Sequence, residues 1–240
     1  MIKLLEVELH KYTWNGVVTM EEGISVRGSN SNAFVLVKMY IYRFIKRMFD
    51  LFVAFIGCIF LIPIAIIVKI SYLINKDFDS IFFVQKRIGK DGKEFDFYKF
   101  RSMIPNADEV LFEMLDEDKE LAKEYKKNKK LKNDPRITKA GNVLRKTSLD
   151  ELPQLINVLK GDMSMIGNRP YLPREKEDMG DSFDIIVSTK PGISGYWQVS
   201  GRSEVSFDYR LKLEKYYSEH CGLKMDIKKF FKTIRVVFKC

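Results

Sequence analysis

Between Leu51 and Val68 the chain reads LFVAFIGCIFLIPIAIIV, with no charged residue. About 18 apolar residues is the lower edge of what crosses a bilayer as a helix, and buried helices of soluble proteins rarely run so long without a polar position. Membrane insertion is therefore the expectation, with a buried core helix as the alternative. The run starts too deep in the chain for a signal peptide, and no small-residue cleavage site follows it. Arg43, Lys46 and Arg47 precede it, while Lys69 and Lys76 follow it, so positive charge gives both ends a claim to the cytoplasm. A re-entrant hairpin satisfies both claims. Pro63 lacks a backbone donor and crowds the preceding turn, which makes it the expected break; a straight span that tolerates the proline is the alternative.

Charge narrows the partners. With 46% hydrophobic residues the 240-residue chain is built for a packed core. A net charge of +9 and a pI of about 9.3 favour anions: nucleic acid, an anionic lipid surface or a phosphorylated substrate. The basic residues form no nucleic-acid motif, so nucleic acid is not an expected partner. Cys58, Cys221 and Cys240 have no paired spacing, and the only histidines are His10 and His220. That argues against zinc and secreted disulfides and fits a reducing compartment.

The chain divides into an N-terminal segment, 1–40, with a linker-like RGSNSN and no assigned role; the membrane helix, 41–76; and an α/β domain, 77–240. Early in that domain Asp91-Gly92 separates two strand-like runs, a hairpin signal. In the second run Phe95 and Phe97 share parity with Lys99 and Arg101, so a regular strand turns both cations toward the phenylalanine face. There they need an anion, from a structural carboxylate or a ligand phosphate. Residues 107–132 are helix-prone and dense in charge, acidic first and basic last, and read as a solvated excursion closed at Asp134-Pro135. Near the C-terminus Ile227, Phe230, Phe231, Ile234 and Phe238 recur at helical spacing opposite Lys228, Lys232, Arg235 and Lys239. Such a helix either lies in a membrane interface or packs its apolar face on the core. Cys240 ends the chain without a prenylation box.

TSLDELPQLINVLKGDMSMIGNRP, Thr147 to Pro170, sets Asp150 and Glu151 side by side among Arg145, Lys146 and Arg169. Ser148 and Glu151 have capping-box spacing. Pro153 would then fall inside the helix, and a helix starting later, with proline in its first turn, leaves the acids in an exposed loop at its mouth. Carboxylates so placed bind Mg²⁺, attack phosphorus or act as bases, and arginines hold phosphate oxygens. There is no GxxxxGKS loop and no GxGxxG, which disfavours ordinary ATP or dinucleotide binding. The residues alone point to a membrane-associated enzyme acting on a phosphorylated substrate.

NDPRITKAGNVLRKTSLDELPQLINVLKGDMSMIGNRPYLPRE, with FVQKRIGKDGKEFDFYKFRSM upstream and KPGISGYWQVSGRS downstream, closely resembles the bacterial sugar transferases that are monotopic polyprenyl-phosphate phosphoglycosyl transferases. The likeness runs from about Arg43 to the C-terminus. It implies a small cytoplasmic catalytic domain with a β-hairpin and several helices, anchored at the cytoplasmic face of the bacterial inner membrane by a re-entrant helix and interfacial amphipathic helices. It implies transfer of a sugar 1-phosphate from a UDP-sugar to undecaprenyl phosphate with release of UMP, beginning capsule, exopolysaccharide or O-antigen synthesis ahead of downstream glycosyltransferases. By the same resemblance Asp150 matches the nucleophile and Glu151 its partner, the two also being the candidate Mg²⁺ ligands. Arg145 and Arg169 match phosphate-binding arginines, Lys99 and Arg101 a cationic pair at the same site, Gln198 and Arg202 a loop near the nucleotide, and Pro63 the break in the membrane helix. The family commonly has proline where Asn168 stands, which bears on the placement of Arg169. Larger relatives carry transmembrane helices ahead of this domain, so a short form is expected. A non-catalytic membrane-bound scaffold or regulator is the rival reading.

Overall fold

The computed structural model describes residues 29–128, 131–195 and 206–237. Gln198, Arg202, Phe238, Lys239, Cys240 and residues 1–28 of segment 1–40 lie outside them. Helix α1 runs from Ser29 to Ile74, 46 residues with Pro63 inside, or roughly 69 Å at 1.5 Å per residue. Helical structure continues through Pro63. The physical reason is a buried stripe that extends to both sides of the proline. Ala54, Leu61, Val68 and Tyr72 are buried against the domain, whereas Pro63 is on the outward, exposed face. The opposite face leaves Phe52, Phe55, Phe60, Ile62, Ile67 and Ile70 exposed, so α1 is not the buried core helix considered above. It is long and apolar enough to cross a membrane.

The basic residues before the apolar run have structural work. Arg47 donates to the Val158 and Leu159 carbonyls, at 2.6 and 3.0 Å, at the C-terminal end of α5 (Gln154–Lys160), where helix carbonyls lack internal partners. Lys46 donates to the Ile166 carbonyl and to Asp226. Asp226 also accepts from Tyr42 and Tyr217.

The domain is mixed helix and strand, and among the described residues its strands form two two-stranded sheets. Strands β1 (Phe82–Ile88) and β2 (Glu94–Phe100) pair antiparallel in unbroken register from Phe82–Phe100 to Ile88–Glu94. The Lys90–Gly92 turn joins them, with Asp91 and Gly92 both at positive φ, as the Asp-Gly step predicts. The buried Asn157 on α5 holds β2: its amide donates to the Asp96 carbonyl and its oxygen accepts from Tyr98 N–H. Thus β2 has no exposed edge there. Strand β3 (Ser164–Ile166) pairs parallel with β4 (Gly192–Ser194). A side chain on Gly192 would meet the backbone nitrogen of Gly167 at 2.0 Å, so glycine is what allows these strands to touch.

Three apolar clusters fill the interior. Ala54 joins Phe95, Phe97, Leu155, Val158 and Met163. Leu61, Val68 and Tyr72 join Ile81, Phe100 and Leu144. Away from α1, Ile88, Tyr171, Met179 of α6 (Lys176–Met179) and Ile186 of α7 (Phe183–Val187) meet Phe207 and Leu211 on α8 (Phe207–His220). The 107–132 excursion forms α2 (Ala107–Glu117) and α3 (Lys119–Asn128), separated by an extended Asp118 whose carboxylate accepts from Glu120 and Leu121 N–H. It is more than a solvated excursion, since Leu111 is buried and lines a cavity with Tyr125 and Leu131. On α9 (Leu223–Val237), Leu223, Ile227, Phe231 and Ile234 are exposed, so the core-packed version of this helix is not the observed one. Among its aromatics Phe230 alone is half-buried, meeting Phe49 edge-on.

Candidate active site

Helix α4 (Lys139–Lys146) begins at Thr138, whose hydroxyl accepts from Gly141 N–H. A side chain on Gly141 would lie 1.9 Å from the Ser102 carbonyl oxygen, so only glycine lets α4 rest on the end of the hairpin. One turn later this contact brings Arg145 Nε to 2.9 Å from Ser102 Oγ. Ser148 then adopts positive φ, and Leu149–Glu151 forms a single 3₁₀ turn before α5 begins after Pro153. The capping box does not form; the later helix start does. The acids are nonetheless not in an exposed loop: Asp150 is only 7% exposed, Glu151 partly buried.

Lys99 reaches both acids. Its Nζ lies 3.0 Å from Glu151 Oε1 and 3.6 Å from Asp150 Oδ2, having come from the Phe95–Phe97 face of β2 as strand parity predicts. Burial pushes the Asp150 carboxyl up, Lys99 pulls it down, Glu151 raises it and Arg145 lowers it, with a net upward result. A carboxylate that is poorly solvated yet faces cations is a more basic nucleophile aimed at anionic ligands.

Lys99 and Arg101 line the same cavity but meet different carboxylates. Arg101 lies beyond the strand, where its NH2 contacts both Asp77 oxygens at 2.7 and 2.8 Å and its Nε donates to the Ser80 carbonyl. Its guanidinium carbon is 4.9 Å from the Tyr72 ring centre, and it lines the cavity edge. Its observed anion is Asp77, and its buried NH1 has no acceptor among the described residues.

The acids open into a cavity of about 1020 Å³, which Arg169 also borders. Arg169 N–H donates to Glu214 at 3.1 Å. Asn168 ties its loop inward: its amide donates to the Ile186 carbonyl and to Ser218 Oγ, at 3.0 and 2.6 Å. Sequence reasoning missed Arg87 and Arg210 on this wall, and Glu214 buried behind it. Arg87 was within reach of the parity argument, because it sits opposite Phe95 in the β1–β2 register; Arg210 and Glu214 carried no local signal. Glu214 is fully buried, and burial raises its carboxyl to about 7 despite Tyr171, Arg169 and Arg210.

Among the described residues no group of three or more His, Cys, Asp or Glu is placed to hold a metal ion. Lys99 already lies between the two acids. Asp150 and Glu151 thus fit Mg²⁺ in one form only, as one or two carboxylates completed by water and phosphate oxygens.

Residues 41–240 match the family model described as bacterial sugar transferase. The chain belongs to that family. Among relatives, this sugar transferase is 45% identical over 197 residues to the undecaprenyl-phosphate galactose phosphotransferase of Salmonella typhimurium, covering 82% of the chain and 41% of the relative. It is 39% identical over 192 residues to the exopolysaccharide production protein ExoY of Sinorhizobium fredii, covering 80% and 84%. Identity to the UDP-N-acetylgalactosamine-undecaprenyl-phosphate N-acetylgalactosaminephosphotransferase of Aeromonas hydrophila is 35%, covering 82% of the sugar transferase and 44% of that relative. The first of these relatives is thus matched over about two fifths of its length, ExoY over most of it.

Proposed function

We propose that this sugar transferase moves a sugar 1-phosphate from a UDP-sugar to undecaprenyl phosphate at the cytoplasmic face of the bacterial inner membrane, beginning exopolysaccharide or capsule assembly ahead of downstream glycosyltransferases. The carrying observation is Asp150, a buried carboxylate at the edge of a cationic cavity, held by Lys99 and flanked by Arg145. The names of the relatives support the donor and acceptor classes. The exposed apolar faces of α1 and α9 support seating in lipid.

In this reading an Asp150 oxygen attacks the phosphorus that carries the sugar. The bond to the bridging oxygen breaks, UMP departs with that oxygen, and the sugar phosphate stays on Asp150 as an acyl phosphate. An oxygen of the lipid phosphate then attacks the same phosphorus and frees the carboxylate, which leaves a lipid diphosphate sugar. Lys99 and Arg145 hold charge that gathers on the phosphoryl oxygens. Glu151 shares Lys99 and keeps the aspartate from being locked in a tight pair. When bound, Mg²⁺ would be held by Asp150 and Glu151 and would supply neutralisation of the diphosphate.

The test is peptide mass spectrometry after incubating detergent-solubilised protein with Mg²⁺ and a panel of UDP-sugars without acceptor. A sugar phosphate adduct on Asp150, absent in Asp150→Asn and discharged by undecaprenyl phosphate, is the expected result. Turnover without any adduct would replace the covalent route with direct attack by the lipid phosphate.

A further inference from the structure

The cavity has a second concentration of cations. Arg87 on β1, Arg169 in the loop after β3, Arg174 and Arg210 on α8 all border it. The charges acting most on Asp150 are Lys99, Glu151 and Arg145. Those acting most on Arg87 are Arg169, Glu175 and Arg174, and on Arg210 they begin with Arg169. The arginines predicted together from sequence, Arg145 and Arg169, thus stand in different charge neighbourhoods of one cavity.

Among the described residues the second neighbourhood has excess positive charge. Arg87 donates to two neutral acceptors, the Pro170 carbonyl at 3.2 Å and the Gln85 side chain at 2.8 Å. The buried Nε groups of Arg87 and Arg169 have no acceptor among the described residues. Arg210 is only 3% exposed. Of the nearby carboxylates, Glu175 accepts from Leu172 N–H, Glu214 accepts from Arg169 N–H, and Asp108 lies 3.6 Å from Arg174. Burial and the neighbouring Arg169 both disfavour charge on Arg87 and on Arg210. Gathering guanidinium groups at a low-dielectric wall is costly unless an anion joins them.

We infer that Arg87 and Arg210 flank Arg169 to form a second oxyanion site, which takes a phosphate monoester other than the phosphoryl group reacting at Asp150. This rests on the transfer reading above. The planar forks of arginine suit the terminal oxygens of a monoester, which offers more of them than a diester does. Two phosphates of that class belong to the proposed reaction: the nucleoside monophosphate that leaves and the lipid monophosphate that accepts.

Calorimetric titration of the full chain in detergent, with UMP alone and with undecaprenyl phosphate alone, tests the site without turnover. Arg87→Gln and Arg210→Gln are each expected to weaken one of these ligands by on the order of tenfold or more, with Arg87→Lys intermediate. Loss confined to UMP assigns the site to the leaving nucleotide, and loss confined to the lipid assigns it to the acceptor. Variants that melt like wild type and bind both ligands within about twofold overturn the site. If the variants fail to fold, arginine-selective phenylglyoxal labelling of the wild-type protein decides. Protection of the Arg87 peptide by either ligand supports the site, and unchanged labelling at saturation overturns it. A wild-type protein that binds a monoester at these arginines yet turns over no UDP-sugar would sink the transfer reading and leave the site standing.

Discussion

Lys99 faces two carboxylates at once, and Asp150 is the one buried more deeply. Since Lys99 lowers the Asp150 carboxyl against the upward push of burial, Lys99→Met should raise it further. The acidic limb of a kcat/KM profile then moves to higher pH, and activity falls by about 100-fold or more; Lys99→Arg should recover part of both. Glu214 gives a separate pH signature. Its carboxyl is about 7 in the folded chain against an ordinary 4.5, so the folded state holds the proton longer. Stability falls as pH rises from about 4.5 to about 7, by roughly 3 kcal/mol in all. Glu214→Gln lacks this titration, so its melting temperature should gain on wild type across that window and hold the gain above it. Parallel melting curves for the two proteins would remove Glu214 as the source.

At the scale of elements, the α4 contact on Ser102 admits no side chain at residue 141. Gly141→Ala should cost about 2 kcal/mol or more and reduce activity disproportionately, because the same displacement moves Arg145 from Ser102; thermal melts read beside turnover check this. Helix α1 yields the opposite kind of substitution. Pro63 is exposed inside a continuous helix, so Pro63→Ala restores a backbone donor and should stabilise by up to about 3 kcal/mol in detergent melts. A loss of stability would favour a break at that residue. The hairpin and the Lys99 placement were legible because Asp-Gly turns and period-two parity are local. The continuity of α1 was not, because the stripe that enforces it needs Phe100 and Leu144 as partners, far along the chain. Arg210 and Glu214 escaped for the same reason. The serine–glutamate spacing pointed to a helix capped by Ser148 and Pro153 to a later start, and the backbone at Ser148 decided between them.

In the whole molecule, α1 is bonded or packed to the domain from Tyr42, through Lys46, Arg47 and Ala54, to Tyr72. The domain therefore cannot swing from α1 as on a tether, and under the proposed seating its height above the lipid surface is constant. Finding an acceptor becomes a search over an area instead of a volume. Adding inert lipid at a constant total amount of undecaprenyl phosphate should slow turnover in proportion to the fall in acceptors per unit of membrane, although nothing in the surrounding solution has been diluted.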